Sequence, residues 1–261
     1  MKSLKNWFLV LSVLSCFGCS SPVHEDGRGC AFVSDSIQYR VEFMSEGCVR
    51  ILSFPEGDTL VTKRLVVDSQ KPAFKDYKWK DTGQQLIFST RELSVAFDKE
   101  DAAFTFQEVS TGKLLLKEKE AKKARHFKRS VTGGEQCLEV TQRFVPTDDE
   151  AIYGLGQYQN GIMNYRGKSV LLLQANMDIV NPFLISTNGY GILWDNYSST
   201  KFEDTKEGYS FTSEVGDASD YYFVYGKNMD EVVAGYRELT GDVPMFGKWV
   251  YGFWQSKERY K

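Results

Sequence analysis

The chain has 261 residues, of which 42% are hydrophobic and 14% aromatic. This length allows one large β domain or two smaller domains around a substantial core. The net charge of −3 gives no electrostatic reason to expect a nucleic-acid partner. The sequence has two histidines, His24 and His126, and its cysteines after residue 19 have no metal-ligand spacing. These features argue against a metal site or a histidine-based catalytic triad, and we expect no cofactor.

The N-terminus has the pattern of a targeting segment. Lys2 and Lys5 precede an apolar stretch, residues 7–17, that is too short to span a bilayer. We therefore predict a lipoprotein signal peptide at 1–19 and a tether at 20–32.

Two cysteines are candidates for lipidation. Cys16 follows the better apolar-and-small sequence, whereas Cys19 is followed by Ser20 and a polar stretch. The alternative is a plain signal peptide with incidental cysteines. A lipid at Cys19, or at Cys16, predicts secretion across the inner membrane and anchoring in a bacterial cell envelope, in the periplasm or at the outer membrane. Membrane contact is then through the lipid anchor alone.

Three cysteines remain after Cys19, namely Cys30, Cys48 and Cys137. Because the number is odd, at least one thiol is free or pairs outside the chain.

Alternation of apolar and polar residues dominates the chain from Ser36 onward. In "SIQYRVEFMS", Ile37, Tyr39, Val41 and Phe43 share one face. Similar short runs follow, separated by turns such as Thr82-Gly83: "CVRILSF", "LVTKRLVV", "QQLIFST", "ELSVAFDK" and "AAFTFQEV". Many short strands without helices between them predict a β-sandwich, which we assign to 33–227.

The charge run "KEKEAKKARHFKR" occupies residues 117–129. It is typical of a solvated loop or an exposed sheet edge, and the alternative is a patch that binds an anionic polymer.

One helix is predicted near the end of the chain, in a linker at 228–243. Asn228 is a favourable N-cap, and Glu231 follows at the capping-box spacing. Val232, Val233, Tyr236 and Leu239 fall on one face, and Gly241 and Pro244 end the helix.

The last segment, 244–261, contains the aromatic run Trp249–Trp254, which is apolar on both faces of a predicted strand. Such strands are normally covered on both sides within a parallel sheet. A helix that leads into this strand is how an α/β unit begins. We therefore predict that 244–261 starts a second domain, of which the rest lies beyond this sequence.

Chemistry-bearing residues are densest between Tyr153 and Phe202. The glycines of Tyr153–Gly156 do not belong to a dinucleotide-binding unit and indicate positive φ or a close backbone approach. The polar stretch 174–182 is predicted to be a loop that presents Asn176, Asp178 and Asn181. Amides and carboxylates bind vicinal sugar hydroxyls, but the same residue types also form turns by capping their own backbone, and both interpretations stay open.

The order and spacing of three stretches resemble glycoside hydrolase family 31, and its α-xylosidase branch in particular. The stretches are "YGLGQY…NPFLISTNGYGILWDNYSSTKF", "MDEVVAGYRELTGDVPM" and "WVYGFWQSKERY". The resemblance implies a galactose-mutarotase-like β-sandwich, a linker helix and the first strand of a (β/α)8 barrel. It also implies retaining hydrolysis of terminal α-xylosyl or α-glucosyl residues of oligosaccharides.

Catalytic aspartates of the family lie on later barrel strands, so the resemblance assigns no catalytic residue here and implies that this chain alone is inactive. In the family, a sandwich loop reaches the sugar site. Asn176 and Asp178 match that loop, and Trp254 and Gln255 match the end of the first barrel strand. Asp178 is expected to contact a hydroxyl, and Trp254 is expected to form an apolar wall or, alternatively, to fill the barrel core.

Two other functions stay open. The sandwich is alternatively a stand-alone carbohydrate-binding module without catalysis. The third hypothesis is a truncated, aggregation-prone product with Trp249–Trp254 exposed as an apolar patch. The sequence does not decide between xylose and glucose, and it leaves the oligomeric state unknown.

Overall fold

The computed structural model describes residues 23–58, 65–67, 72–120 and 125–254. The signal peptide at 1–19, with Cys16 and Cys19, lies outside these residues, as does Gln255. Within the described residues no helix combines the length and apolar character that a membrane span requires.

The described residues form two antiparallel sheets, in agreement with the predicted β-sandwich. The strands are β1 (His24–Glu25), β2 (Cys30–Ser34), β3 (Ile37–Phe43), β4 (Cys48–Pro55), β5 (Lys78–Asp81), β6 (Gln85–Ser89), β7 (Leu93–Asp98), β8 (Ala103–Glu108), β9 (Leu114–Glu118), β10 (Arg125–Thr132), β11 (Glu135–Val145), β12 (Ile152–Gln157), β13 (Ser169–Leu172), β14 (Ile179–Ser186), β15 (Tyr190–Trp194), β16 (Thr200–Thr205), β17 (Gly208–Gly216) and β18 (Ser219–Tyr225).

The first sheet has the strand order β1-β2-β3-β4-β18-β15-β14-β12. The second has the order β13-β16-β17-β11-β9-β8-β7-β6-β5, and β10 pairs with β11 beside this path. Strand β12 is therefore an edge strand of the first sheet, and β13 is an edge strand of the second. The chain passes from β13 to β14, and so from one sheet to the other, through residues 173–178.

Aromatic side chains fill the space between the sheets. Tyr39, Val41 and Phe43 of β3 are about 1% exposed, as the alternation predicted. Phe106 stacks on Phe223 across the sandwich, with 4.2 Å between ring centroids. The core is thus built from the inward positions of both sheets.

The sandwich begins earlier than the predicted boundary at residue 33. Strand β1 pairs with β2, and β2 pairs with β3, so that Cys30 is fully buried. The second part of the predicted tether at 20–32 is therefore sheet. The sequence prediction missed this because β1 is only two residues long and is stabilised by pairing rather than by its own pattern.

The charge run at 117–129 was predicted to be a solvated loop or an exposed sheet edge. Its second half agrees with the edge, because β10 lies beside the main path of its sheet and His126, Lys128 and Arg129 are exposed. Two charged residues of the run are buried instead. Glu118 is fully buried, Arg125 is 8% exposed, and their side chains form an ion pair between the ends of β9 and β10. Glu118 also accepts hydrogen bonds from Gln142 and Tyr221, at 3.0 and 2.7 Å. This pair needs strands that are distant in sequence, so the local charge pattern did not reveal it.

The predicted helix is present as α1 (Met229–Thr240), capped by Asn228, whose side chain accepts from the Glu231 backbone N–H at 2.9 Å. Val232 and Leu239 are buried against the outer face of the first sheet, whereas Val233 is 41% exposed. The helix packs on β14, β15 and β18, and Phe183 of β14 stacks on Tyr236.

The aromatic segment near the C-terminus does not form the predicted strand. Lys248–Tyr251 is a 3-10 helix, and Trp249 and Trp254 are 72% and 62% exposed. A strand needs a neighbour to pair its backbone groups, and none of the described strands pairs with this segment. The aromatic composition therefore did not by itself produce a strand.

Candidate functional site

The candidate loop between β13 and β14 contains a tight turn, closed by an isolated antiparallel bridge between Ala175 and Asp178. We call residues 174–180 the hairpin, although β13 and β14 belong to different sheets. The Asp178 backbone N–H donates to Ala175 at 3.3 Å, and Met177 adopts a left-handed φ of 69°. Asn176 lies at the exposed tip, and Asp178 is half-buried. The structure thus places these two predicted residues on one turn.

Gln174 holds the two arms of this hairpin together. Its side-chain amide donates to the Asp178 carbonyl at 2.8 Å, and its side-chain oxygen accepts from the Val180 backbone N–H at 3.2 Å. Among the described hydrogen bonds, those that close the turn come from the backbone and from Gln174. No described hydrogen bond joins the side chains of Asn176 and Asp178 to this turn, and their role as sugar ligands stays a prediction.

The edge strand β12 supports the far side of the loop. Gly156 lies opposite Val180, and Gln157 lies opposite Ile179. An added Cβ at Gly156 would lie 2.1 Å from the Ile179 carbonyl oxygen, so only glycine permits this approach. The close approach predicted for Tyr153–Gly156 is confirmed.

Tyr158 lies beside the loop. Its hydroxyl donates to the Leu155 carbonyl at 2.9 Å. Burial raises the pKa of Tyr158 to about 12, and electrostatic interactions with Tyr165 and with the Asp178 carboxylate act in the same direction. The Asp178 carboxylate is therefore near enough to influence the Tyr158 phenol electrostatically.

A mostly apolar groove of about 300 Å³ adjoins the hairpin. Leu173, Gln174 and Val180 line it, together with Tyr197, which is 55% exposed. A larger hollow of about 520 Å³ lies at the β10–β11 hairpin. Asn176, Asp178 and Trp254 line neither concavity, and the groove is next to the loop only through its neighbours Gln174 and Val180.

Trp254 is not joined to this loop. Its indole N–H donates to the Val250 carbonyl at 2.8 Å, and its ring contacts Trp249 at 5.7 Å. Among the described hydrogen bonds and ring contacts, none links Trp254 to residues 174–181. The proposed role of Gln255 stays a prediction, because this residue is outside the described part of the chain.

Sequence reasoning missed three supports of the loop: the Gln174 amide, Tyr158, and Tyr236 of α1. The Tyr236 hydroxyl donates to the Asn181 side chain at 3.4 Å. Gln174 stood within the polar stretch that predicted the loop, and its position at the foot of the hairpin was the available signal. Tyr236 gave no such signal, because its contact spans 55 residues.

Two antiparallel sheets around an aromatic core, with a polar loop where the chain changes sheets, define a β-sandwich. The family model of the glycosyl hydrolase 31 N-terminal galactose mutarotase-like domain matches residues 38–203. The chain belongs to this family.

Curated relatives agree with this assignment. An α-xylosidase of Saccharolobus solfataricus is 36% identical over 241 residues, which cover 87% of this chain and 31% of the relative. Alpha-glucosidase 2 of Bacillus thermoamyloliquefaciens is 27% identical over 250 residues, which cover 88% of this chain and 30% of the relative. The chain thus spans about a third of the length of these relatives.

Solved structures share the fold. The family 31 α-xylosidase of Xanthomonas citri superposes with a TM-score of 0.80 at 23% identity, covering 91% of this chain and 42% of that protein. A family 31 α-xylosidase from a soil metagenome, solved with xylose, gives 0.78 at 25% identity and covers 92% and 37% of the two chains.

Proposed function

We propose that this chain is the N-terminal portion of a retaining α-glycosidase that removes terminal α-xylosyl or α-glucosyl residues from oligosaccharides. The observation that supports the proposal is the hairpin at 174–180, which carries Asn176 and Asp178 and whose Gln174 and Val180 line the apolar groove. In this proposal the Asp178 carboxylate accepts a hydrogen bond from a sugar hydroxyl, and Asn176 offers both a donor and an acceptor.

The chain alone has no hydrolytic activity in this proposal. Retaining hydrolysis requires two carboxyl groups about 5–5.5 Å apart, one as nucleophile and one as acid. We infer that these groups belong to a barrel that follows residue 261 in a longer polypeptide. The exposed Trp249, Tyr251, Phe253 and Trp254 support this proposal, because a cluster of exposed aromatic side chains is typical of a surface that another domain covers.

Export and lipidation form a further part of the proposal. Cys19, or alternatively Cys16, carries the lipid that holds the enzyme in the cell envelope, where it meets oligosaccharides from outside. Mass spectrometry of the protein purified from its native membrane tests this point. A diacylglyceryl adduct on one of these cysteines is expected, and an unmodified, soluble mature chain would contradict it.

The experiment for the main proposal compares two polypeptides. One is the 261-residue chain, and the other is the longer product of the same reading frame continued beyond Lys261. Both are assayed on p-nitrophenyl α-D-xyloside and p-nitrophenyl α-D-glucoside. We expect that the longer polypeptide hydrolyses these substrates and that the 261-residue chain does not. In the longer polypeptide, Asp178→Asn should raise the KM. The control substitution Asp148→Asn, at an exposed residue near the start of β12, should leave the KM unchanged. Turnover by the 261-residue chain would refute its proposed inactivity.

A stand-alone binding module is the alternative. It predicts that the 261-residue chain binds xylosyl or glucosyl oligosaccharides in titration calorimetry and that no longer polypeptide hydrolyses either glycoside. Hydrolysis by the longer polypeptide excludes this alternative.

A further inference from the structure

Three consecutive residues of β12 adopt left-handed backbone conformations. The φ angles are 99° at Gly154, 66° at Leu155 and 118° at Gly156. Glycine adopts such angles freely, but for leucine they are sterically unfavourable. Leu155 is nevertheless fully buried in the core between the sheets. Strain of this kind persists where the surroundings fix it, and it concentrates at functional sites.

The pairing of β12 with β14 is irregular at this point. Gly154 lies opposite Leu184, and Gly156 lies opposite Val180. Two steps along β12 therefore match four steps along β14, and the extra residues include Pro182, which has no N–H to donate. Proline within a sheet is confined to edges and bulges, so the sequence of β14 fits this distortion.

The two glycines allow the strands to touch at this bulge. A Cβ at Gly154 would lie 2.5 Å from the Phe183 carbonyl oxygen, and one at Gly156 would lie 2.1 Å from that of Ile179 and 2.9 Å from the Asn181 nitrogen. Ile179 directly follows Asp178. The backbone of β12 therefore fixes the arm of the hairpin at the residue next to the candidate sugar ligand.

Gln174 fixes the other arm through its bonds to Asp178 and Val180. We propose that the strained segment Gly154–Gly156 and the Gln174 amide together form a positioning frame that sets the direction of the Asp178 side chain before sugar binds. Gly156 and Gln174 act as positioning residues and do not themselves touch sugar. The inference rests on the proposed function, because it assumes that the 174–180 hairpin is the surface that meets the glycan.

Preorganisation of this kind reduces the entropy lost on binding, because the loop is ordered before the ligand arrives. The frame also explains why the bulge lies at the site end of β12. The other end of the strand, at Ile152, pairs with Ser186 in regular register.

The test compares Gly156→Ala with Gly161→Ala in the 261-residue chain. Gly161 has a φ of 69°, so alanine is strained there too, but its Cβ meets nothing within 4 Å. Hydrogen exchange is measured by NMR at the Val180 amide and at core amides of β3. We expect Gly156→Ala to accelerate exchange at Val180 roughly tenfold, with β3 unchanged, and Gly161→Ala to leave both unchanged. Equal exchange at Val180 in the two variants would overturn the proposal.

A second variant removes the two Gln174 side-chain hydrogen bonds of the frame without adding bulk to the turn. Gln174 is exposed, so Gln174→Met leaves the core intact while it removes both side-chain hydrogen bonds. The same local acceleration at Val180 is expected. If Gly156→Ala fails to fold, Gln174→Met still tests the proposal. Unchanged hydrogen exchange at the Val180 amide of Gln174→Met would refute the frame.

Titration with D-xylose, with the same variants made in the polypeptide continued beyond Lys261, separates the two proposals. Xylose should shift the Asp178 amide of the wild-type polypeptide and shift it at several-fold higher concentrations in Gly156→Ala and Gln174→Met. Equal affinity in all three proteins would overturn the frame and leave the sugar site intact. If hydrogen exchange at Val180 is faster in the variants but xylose shifts no amide signal, the proposed sugar site would be refuted. The frame would then remain as a purely structural feature.

Discussion

Replacing Arg125 with methionine removes the cation from a buried ion pair. In the folded chain Arg125 contacts the Glu118 carboxylate, donates to the Ala102 carbonyl at 2.9 Å and lies 5.0 Å above the Tyr39 ring. Glu118 is fully buried, so the variant leaves an uncompensated charge between the sheets. Breaking one partner of such a pair typically costs about 3–5 kcal/mol.

The structure places the expected loss at the lower end of that range. Without Arg125, Glu118 still accepts hydrogen bonds from Gln142, Tyr221 and the Phe104 backbone N–H, at 3.0, 2.7 and 2.8 Å. These donors stabilise the remaining carboxylate, so we expect a loss of about 3 kcal/mol in the free energy of unfolding. Adding Glu118→Gln to the variant should recover part of it, because the unpaired charge is removed.

Urea unfolding of the 261-residue chain, followed by tryptophan fluorescence, measures this loss. Lys201→Met is the matched control, since Lys201 pairs with Glu203 at 2.7 Å while both side chains are about half exposed. The control should lose less than about 1 kcal/mol. The reasoning is wrong if Arg125→Met costs no more than Lys201→Met.

Three further variants test other parts of the fold. Burial raises the pKa of Glu150 above its usual 4.5, although the Ser186 hydroxyl opposes this. The folded state therefore loses stability as pH rises from 4.5 through the raised pKa of Glu150. Because glutamine carries no charge, Glu150→Gln should raise the melting temperature at pH 7 but not at pH 4. Equal changes in melting temperature at both pH values would contradict this. Asn228→Ala removes the cap of α1 and should cost about 1 kcal/mol in urea unfolding; no change would show that the cap is dispensable. Gly191→Ala should cost about 1–3 kcal/mol, because its Cβ would lie 2.7 Å from the Phe183 ring and 2.8 Å from Val232; an unchanged melting temperature would mean that the helix moves away freely.

Local patterns sufficed for strands such as β3, β4, β6, β7 and β8 and for the helix, whereas the predicted strand "LVTKRLVV" is not a strand at its described residues 65–67. The alternation from Ile37 to Phe43 fixes which face is buried, and the Asn228–Glu231 capping box marks the helix start within a few residues. Both signals are contained in short stretches of sequence. The loop that carries Asn176 and Asp178 was predicted for the same reason, since polar and turn-forming residues separate two apolar runs, but its tight turn was not predicted.

Features that depend on distant pairing were not predictable in this way. The burial of Arg125 requires β9, β10 and β11 to lie side by side. The left-handed φ of Leu155 requires the bulge at which β12 pairs with β14 near Pro182. The aromatic run at Trp249–Trp254 shows the converse case. Its composition favours a strand, but a strand forms only where a neighbour supplies backbone partners.

The most direct test of the proposed sugar site is a crystal structure of the polypeptide, continued along its reading frame, with D-xylose bound. We predict an Asp178 carboxylate oxygen within hydrogen-bond distance, about 2.5–3.0 Å, of a xylose hydroxyl. The hairpin at 174–180 should superpose on its present conformation. Xylose bound elsewhere, or at a site to which Asp178 contributes no contact, would contradict the account.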